Sequence, residues 1–312
     1  MTLPIQRGGS LDERVLRHVQ DSYYLASRTG GQVFFVDGTD GDDDTDNPGT
    51  SPYSPVLTIT RGNALCTASH GDIIHILKNS PSSPHADETF PVTLNKQGMI
   101  VRGTLGRGWL SDSGFGSDEQ NVATIEIGAH YVTVEDLYLG CDNLGTTGGI
   151  VTFNGTNSYF GVTFRNCTFD TQYIPAYGIY MQYDQPYFLL EDCRFGRYDI
   201  AGYTTAGIYI GNCTWGMFRR NIFNACAGIA FSGGPQSGNY SIFDNRFSLP
   251  SDTVGKAITL ADGSSGIHVD GNHATFGMTA MTNNPFRDLN NDNSNMWGLN
   301  HKAGVSIMPS GV

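Results

Sequence analysis

The hydrophobic pattern along the chain repeats, and the repeat has the period of strands. Five segments align: "GGIVTF" at 148–153, "YGIYMQ" at 177–182, "AGIYIG" at 206–211, "AGIAFS" at 227–232 and "KAITLA" at 256–261. An earlier copy, "ATIEIG", stands at 123–128. Taking Ile150, Ile179, Ile208, Ile229 and Ile258 as equivalent gives spacings of 29, 29, 21 and 29. Each copy is followed by a second apolar run that reaches Asn or Asp and then an aromatic residue, as in "VTFRNCTF" and "FLLEDCRF". Short strands at such a period, with no helical periodicity between them, predict an all-β solenoid.

Stacking explains the residue types at the turns. Asn and Asp tolerate the left-handed backbone of a sharp bend, so Asp136, Asn166, Asp192, Asn221, Asn245 and Asn272 are expected as one turn ladder. Phe169, Phe195, Phe223 and Phe247 are expected to stack inside it, with Cys167 and Cys193 at equivalent places as buried thiols. Strict alternation points Ile150/Thr152 and Ile179/Met181 inward. It leaves Glu126, Val151, Tyr180, Tyr209, Ala230 and Thr259 facing out.

Composition agrees with strands. Only 15% of residues are charged and 40 of 312 are Gly. A net charge of −12 lacks the basic face that nucleic acid needs and disfavours an anionic membrane. No run reaches the roughly 18 apolar residues of a membrane span. The first residues lack the apolar core of a secretory signal, so synthesis without an export signal is expected. That expectation sets aside glycosylation at Asn154, Asn166, Asn212 and Asn239, and leaves the six cysteines as free thiols.

Residues 10–28 predict an amphipathic helix. Ser10 and Glu13 make a capping box, and Leu11, Val15, Val19 and Tyr23 form an apolar stripe. The expected organisation is an arm and capping or docking helix over 1–30, the solenoid over 31–277, and a C-terminal cap or arm over 278–312. Between helix and repeat lies "VDGTDGDDDTDNPGTSPYSP", with six aspartates in residues 37–46. Its oxygens suit Ca²⁺, with Asp42, Asp44 and Asp46 as candidate ligands, although the spacing of an EF-hand is missing. No other cofactor is suggested.

The segment from Val33 to Leu77 resembles the opening of right-handed parallel β-helix proteins of the pectate-lyase-like superfamily. The resemblance rests on strand Val33–Val36, Gly38, Asp42, Pro48–Thr50, Pro55, Thr58, Ile59, Gly71, Asp72 and Ile74, followed by "KQGMIVRG" at 96–103. It implies a right-handed single-stranded parallel β-helix over about residues 31–277. That superfamily holds polysaccharide lyases and glycoside hydrolases, and also spike, fibre and decoration proteins of bacteriophages and other viruses. The resemblance therefore implies two functions. One is a virion structural protein on the particle exterior, a homotrimer bound to capsid or tail proteins and contacting host-surface polysaccharide. The other is a polysaccharide lyase or glycosidase.

Residue chemistry favours the first. A hydrolase needs two carboxyl groups about 5–9 Å apart, and the outer stripe offers only Glu126. Asp184, Asp199 and Asp170 are the other acids to consider, all near turns. Tyr180 and Tyr209 suit an interface or a sugar platform, and Val151 and Ala230 beside them favour the interface. Arg219–Arg220 and the spaced pair His268 and His273 complete the candidates.

Overall fold

The computed structural model describes residues 13–78, 88–104, 114–117, 122–141, 148–170, 177–196, 206–211, 213–224, 228–232, 238–249, 256–275, 283–290, 294–302 and 305–310. Each repeat contributes one strand to each of three sheets. One coil is Ile125–Ile127, Thr133–Glu135 and Tyr138–Cys141; the next begins at Gly149–Phe153. Among the described residues the sheets hold ten strands (sheet I, from Val33–Asp37 to Met296–Trp297), nine (sheet II, from Gly114–Ser117 to Val305–Ile307) and eight (sheet III, from Val92–Leu94 to Phe286–Asp288). Neighbouring coils pair in parallel, so residues one coil apart stack at about 4.8 Å.

The interior columns follow from this stacking. Phe169, Phe195, Phe223 and Phe247 lie face to face with centroids 4.6, 4.7 and 4.8 Å apart and interplanar angles of 11°, 9° and 10°. Each contact adds about 0.5–1.5 kcal/mol beyond burial of the rings. Cys66, Cys167, Cys193 and Cys213 are free and buried. Burial pushes the Cys66 and Cys213 thiols up to about 12, so they act as small apolar groups.

The expected Asn/Asp ladder divides into two adjacent columns. The left-handed corner positions are Asp136, Asn166, Asp192, Arg220, Asp244 and Gly271, with φ between 52° and 66°. Asn221, Asn245 and Asn272 sit one residue later, level with Cys167 and Cys193, and point inward. There the backbone N–H and Nδ2 of Asn221 both donate to Asn245 Oδ1 at 2.9 Å, and Asn245 repeats this on Asn272 at 3.0 and 2.9 Å. Asn300 extends the column, with its Oδ1 accepting from the N–H of Asn272 at 3.1 Å. Every amide in the column is satisfied, as burial requires.

Both ends of the solenoid are closed by the chain itself. The helix Glu13–Thr29 (α1) packs on the outer face of the first two strands of sheet I, where Val19 and Ala26 meet Val33, Phe35, Ile73 and Leu77. Ser22 Oγ and His75 Nδ1 lie 2.7 Å apart beneath it. The Asp-rich loop covers the open edge. The N–H groups of Phe35 and Asp37 donate to the carbonyls of Gly49 and Val56, and Val56 N–H donates back to Phe35. At the other end the parallel pairing runs past residue 277. Phe286–Asp288, Met296–Trp297 and Asn300–Lys302 form a further coil, and the chain then reverses as Val305–Ile307 pairs antiparallel with Asn300–Lys302. These returns hide edges that would otherwise recruit other strands.

Candidate functional site

The outer face of sheet III carries most of the residues singled out in the sequence. Its central column runs Thr93, Glu126, Thr152, then Tyr180, Tyr209, Ala230, Thr259 and Arg287. Val151 is not in it. Val151 pairs with Ile125 and Ile179 inside the core and is fully buried, and Thr152 takes the outward place. The run "GIVTF" has apolar residues at adjacent positions, so alternation alone permits either register. The observed one buries Val151 and Phe153 and exposes Thr152, avoiding a hydroxyl in the core.

Tyr180 and Tyr209 are neighbours as expected, with ring centroids 5.1 Å apart at 28°. Tyr177 joins them at 5.1 Å from Tyr180 and 5.0 Å from Tyr209. Burial, then the surrounding tyrosines, raises the Tyr180 phenol, which keeps it a neutral donor. Beside the rings opens a cleft of about 390 Å³ lined by Glu126, Thr152, Tyr180, Gln182 and Tyr183. Thr93 Oγ1 donates to one Glu126 oxygen at 3.3 Å. An aromatic wall with a carboxylate acceptor suits sugar hydroxyls.

Among the described residues, the other acids singled out in the sequence do not appear in this cleft lining. Asp184 Oδ1 accepts from the Thr214 N–H at 2.8 Å and hydroxyl at 3.0 Å, fastening one coil to the next. Asp170 is buried. Asp199 lies outside the described residues. The structure thus brings neither Asp170 nor Asp184 into the cleft lining around Glu126. In the opening loop, Asp42 accepts from Asp44 N–H at 3.0 Å, and Asp43 accepts from Leu57 and Thr58. Among the described residues no three His, Cys, Asp or Glu side chains gather as a metal site, and Asp42, Asp44 and Asp46 do not converge. His268 stands edge-on to Phe243 in sheet I, away from His273 in sheet II.

Sheet I holds two features that the repeat pattern did not reveal. The first is an ion ladder on its outer face: Arg102, Glu135, Arg165, Glu191 and Arg219 stack in register with alternating sign. Arg102 lies 3.3 Å from Glu135, Arg165 3.4 Å from Glu191, and Arg219 2.8 Å from Glu191. Arg220 forks onto Asp192 at 3.0 and 2.9 Å and also reaches Glu191. Arg219–Arg220 is therefore an occupied pair.

The second is an aromatic row at the bend from sheet III into sheet I. Tyr131, Tyr187 and Trp215 occupy left-handed backbone, with φ of 57°, 60° and 58°. Their side chains are 56%, 62% and 52% exposed. Tyr187 and Trp215 stack with centroids 6.3 Å apart. Gly161 fills the same corner between Tyr131 and Tyr187; at φ 68°, a Cβ there would lie 2.5 Å from the Tyr131 ring. Half-buried Leu189 and Met217 continue the apolar surface toward the ion ladder. The available signal was an aromatic residue just before an apolar strand, in "HYVTV", "PYFLL" and "TWGMF".

Residues 132–274 match the family model described as right handed beta helix region. The fold is a right-handed parallel β-helix. No curated protein matches the sequence. Among solved structures, this β-helix is similar to the GH136 lacto-N-biosidase from Eubacterium ramulus, with a TM-score of 0.40 and 14% identity over 84% of this chain. The chain spans 58% of the length of that protein.

Proposed function

We propose that this β-helix is a structural protein that assembles with copies of itself, as decoration and spike proteins on the exterior of a virus particle do. Its assembly face is the outer surface of sheet I. The supporting observation is the aromatic row. Holding a bulky residue in left-handed backbone costs about 1–2 kcal/mol, and Tyr131, Tyr187 and Trp215 are held there while exposed. The bend itself needs left-handed backbone, and Gly161 meets that need in the same corner column, where its N–H donates to the Pro186 carbonyl. An exposed aromatic side chain is not needed there, whereas Trp, Tyr and Arg dominate protein–protein contacts. The row, with Leu189 and Met217, has the apolar centre of an interface, and the ion ladder supplies a polar rim. A homotrimer held on capsid or tail proteins is the arrangement we favour, with the tyrosine cleft of sheet III free to contact host-surface polysaccharide. Replacing both Tyr187 and Trp215 by Glu is expected to yield folded monomers by light scattering. Oligomers that survive this change would refute the assembly face.

The cleft at Glu126 also gives the enzymatic reading a definite test. Among the described residues the cleft lining holds one carboxylate, Glu126, where glycoside hydrolysis uses two. Polysaccharides incubated with the protein are expected to release no reducing ends or unsaturated products. Release that disappears in Glu126→Gln would establish a lyase or glycosidase instead.

A further inference from the structure

A second concave surface lies at the bend from sheet I into sheet II, on a different face from the tyrosine cleft. It is a groove of about 710 Å³, within the size range of small-ligand sites. Its floor is an outward column of sheet II in which Ile222, Arg246, His273 and His301 occupy successive coils in register. Its wall is the left-handed corner column, with Asp192, Arg220, Asp244 and Gly271. Gly271 keeps that wall open: at φ 66°, a Cβ would come within 2.4 Å of Asp244 Oδ1.

The floor column differs from the ion ladder of sheet I, while the corner beside it carries Asp192 and Asp244. Arg246, His273 and His301 follow one another with no carboxylate in their column, on a chain of net charge −12. Like charges directly opposite on paired strands are destabilising. Burial, then His301 and Arg246, hold the His273 imidazole below the ordinary histidine range. The Arg220 guanidinium at the rim is already taken by Asp192 and Glu191. Among the described residues no ion pair engages Arg246. Among the described residues no three ligating side chains gather around the two imidazoles.

We propose that this groove binds an acidic saccharide, its carboxylate held by Arg246 with His273 and His301, and its hydroxyls by Asp244. The chemistry fits each part. A guanidinium fork matches a carboxylate, imidazole N–H groups add donors, and a carboxylate acceptor takes sugar hydroxyls. Ile222 offers an apolar surface to a ring face. Groups facing His273 are Arg246 on the preceding strand and His301 on the following one, with Asp244, Asp192 and Arg220 lining the corner. Protonating the imidazole therefore adds positive charge where the ligand's carboxylate sits, and binding tightens as pH falls.

The test uses the full chain and short oligomers of hyaluronan and of polysialic acid, with their carboxyl-methylated forms as neutral controls. Calorimetry is expected to show that at least one acidic oligomer binds, and that methylation weakens it by 10-fold or more. Arg246→Ala and His273→Gln are each expected to weaken it 5-fold or more, and moving from pH 8 to pH 6 to strengthen it several-fold. Both substituted residues lie at the surface or half-buried, and unchanged circular dichroism checks that the variants fold. Absence of binding by both acidic oligomers, equal binding of the methylated forms, or indifference to Arg246→Ala would each overturn the proposal.

Discussion

Two charged columns run along the outside of this solenoid, one coil per step, and they are built on opposite rules. On sheet I, Arg102, Glu135, Arg165, Glu191 and Arg219 alternate in sign, so the inner members stand between opposite charges. On sheet II, Arg246, His273 and His301 succeed one another without a carboxylate in the column. A parallel β-helix brings equivalent residues of successive coils within about 4.8 Å, so the order of charges along a column decides whether neighbours attract or repel. The first arrangement supports the fold. The second sets basic side chains one above another, with the carboxylates of Asp192 and Asp244 in the neighbouring corner column.

The largest effect expected on stability lies in the first column. Glu191 is buried and meets Arg165, Arg219 and Arg220. Glu191→Gln would leave three guanidinium groups around a neutral amide. Breaking a buried ion pair costs about 3–5 kcal/mol, and the half-exposed arginines reduce this to about 2 kcal/mol. Urea unfolding should show this loss, and high salt should shrink it. A change below about 0.5 kcal/mol would mean that the ladder is ornamental.

A smaller effect belongs to the second column and has a defined sign. The folded His273 titrates below the unfolded value of 6.5. As pH falls from neutrality through about 6.5, the unfolded chain therefore binds the proton first and stability declines. The decline ends below the folded pKa. Because the side chain is only partly buried, the slope is shallow. His273→Gln should remove this part of the pH dependence, as measured by denaturant midpoints between pH 8 and pH 5. Unchanged pH dependence would show that neither burial nor the neighbouring His301 and Arg246 holds His273 below its ordinary range.

The smallest effects are expected where side chains face outward for a partner or ligand. Arg246→Ala should change stability by less than about 0.5 kcal/mol, in contrast with Glu191→Gln. Trp215→Asn should do the same, because Asn accepts the left-handed backbone and the indole is half exposed. A loss above about 2 kcal/mol at either position would assign it to the fold.

The parts legible in the sequence are those that stacking makes redundant. The Ile register from 179 to 258, the phenylalanine column and the equivalence of Cys167 with Cys193 recur in several coils, so one alignment reveals them all. The opening segment also lies where its resemblance implied, with Val33–Asp37, the helix Ile59–Leu65 (α2) and Ile73–Lys78 in order. Where a column changes residue type, the alignment slips. The Asn and Asp pattern places Asn221, Asn245 and Asn272 at the corner that Arg220, Asp244 and Gly271 occupy, and Arg is an unexpected residue at φ 56°. At Val151 the register is ambiguous because Ile150 and Val151 are adjacent apolar residues in "GIVTF". The last coil went unseen because "PFRD", "MWG" and "NHK" are too short to show alternation. Outer surfaces are harder still to read. The aromatic row and the groove each join residues one coil apart, and only the register places them together.

The central claim is that the exposed aromatic row of sheet I is an assembly face. Sedimentation equilibrium of the unmodified chain over a 100-fold concentration range tests it most directly. A stable homo-oligomer, with three copies the expected number, is the predicted result. A single species at the 33.8 kDa mass of one chain throughout would contradict it.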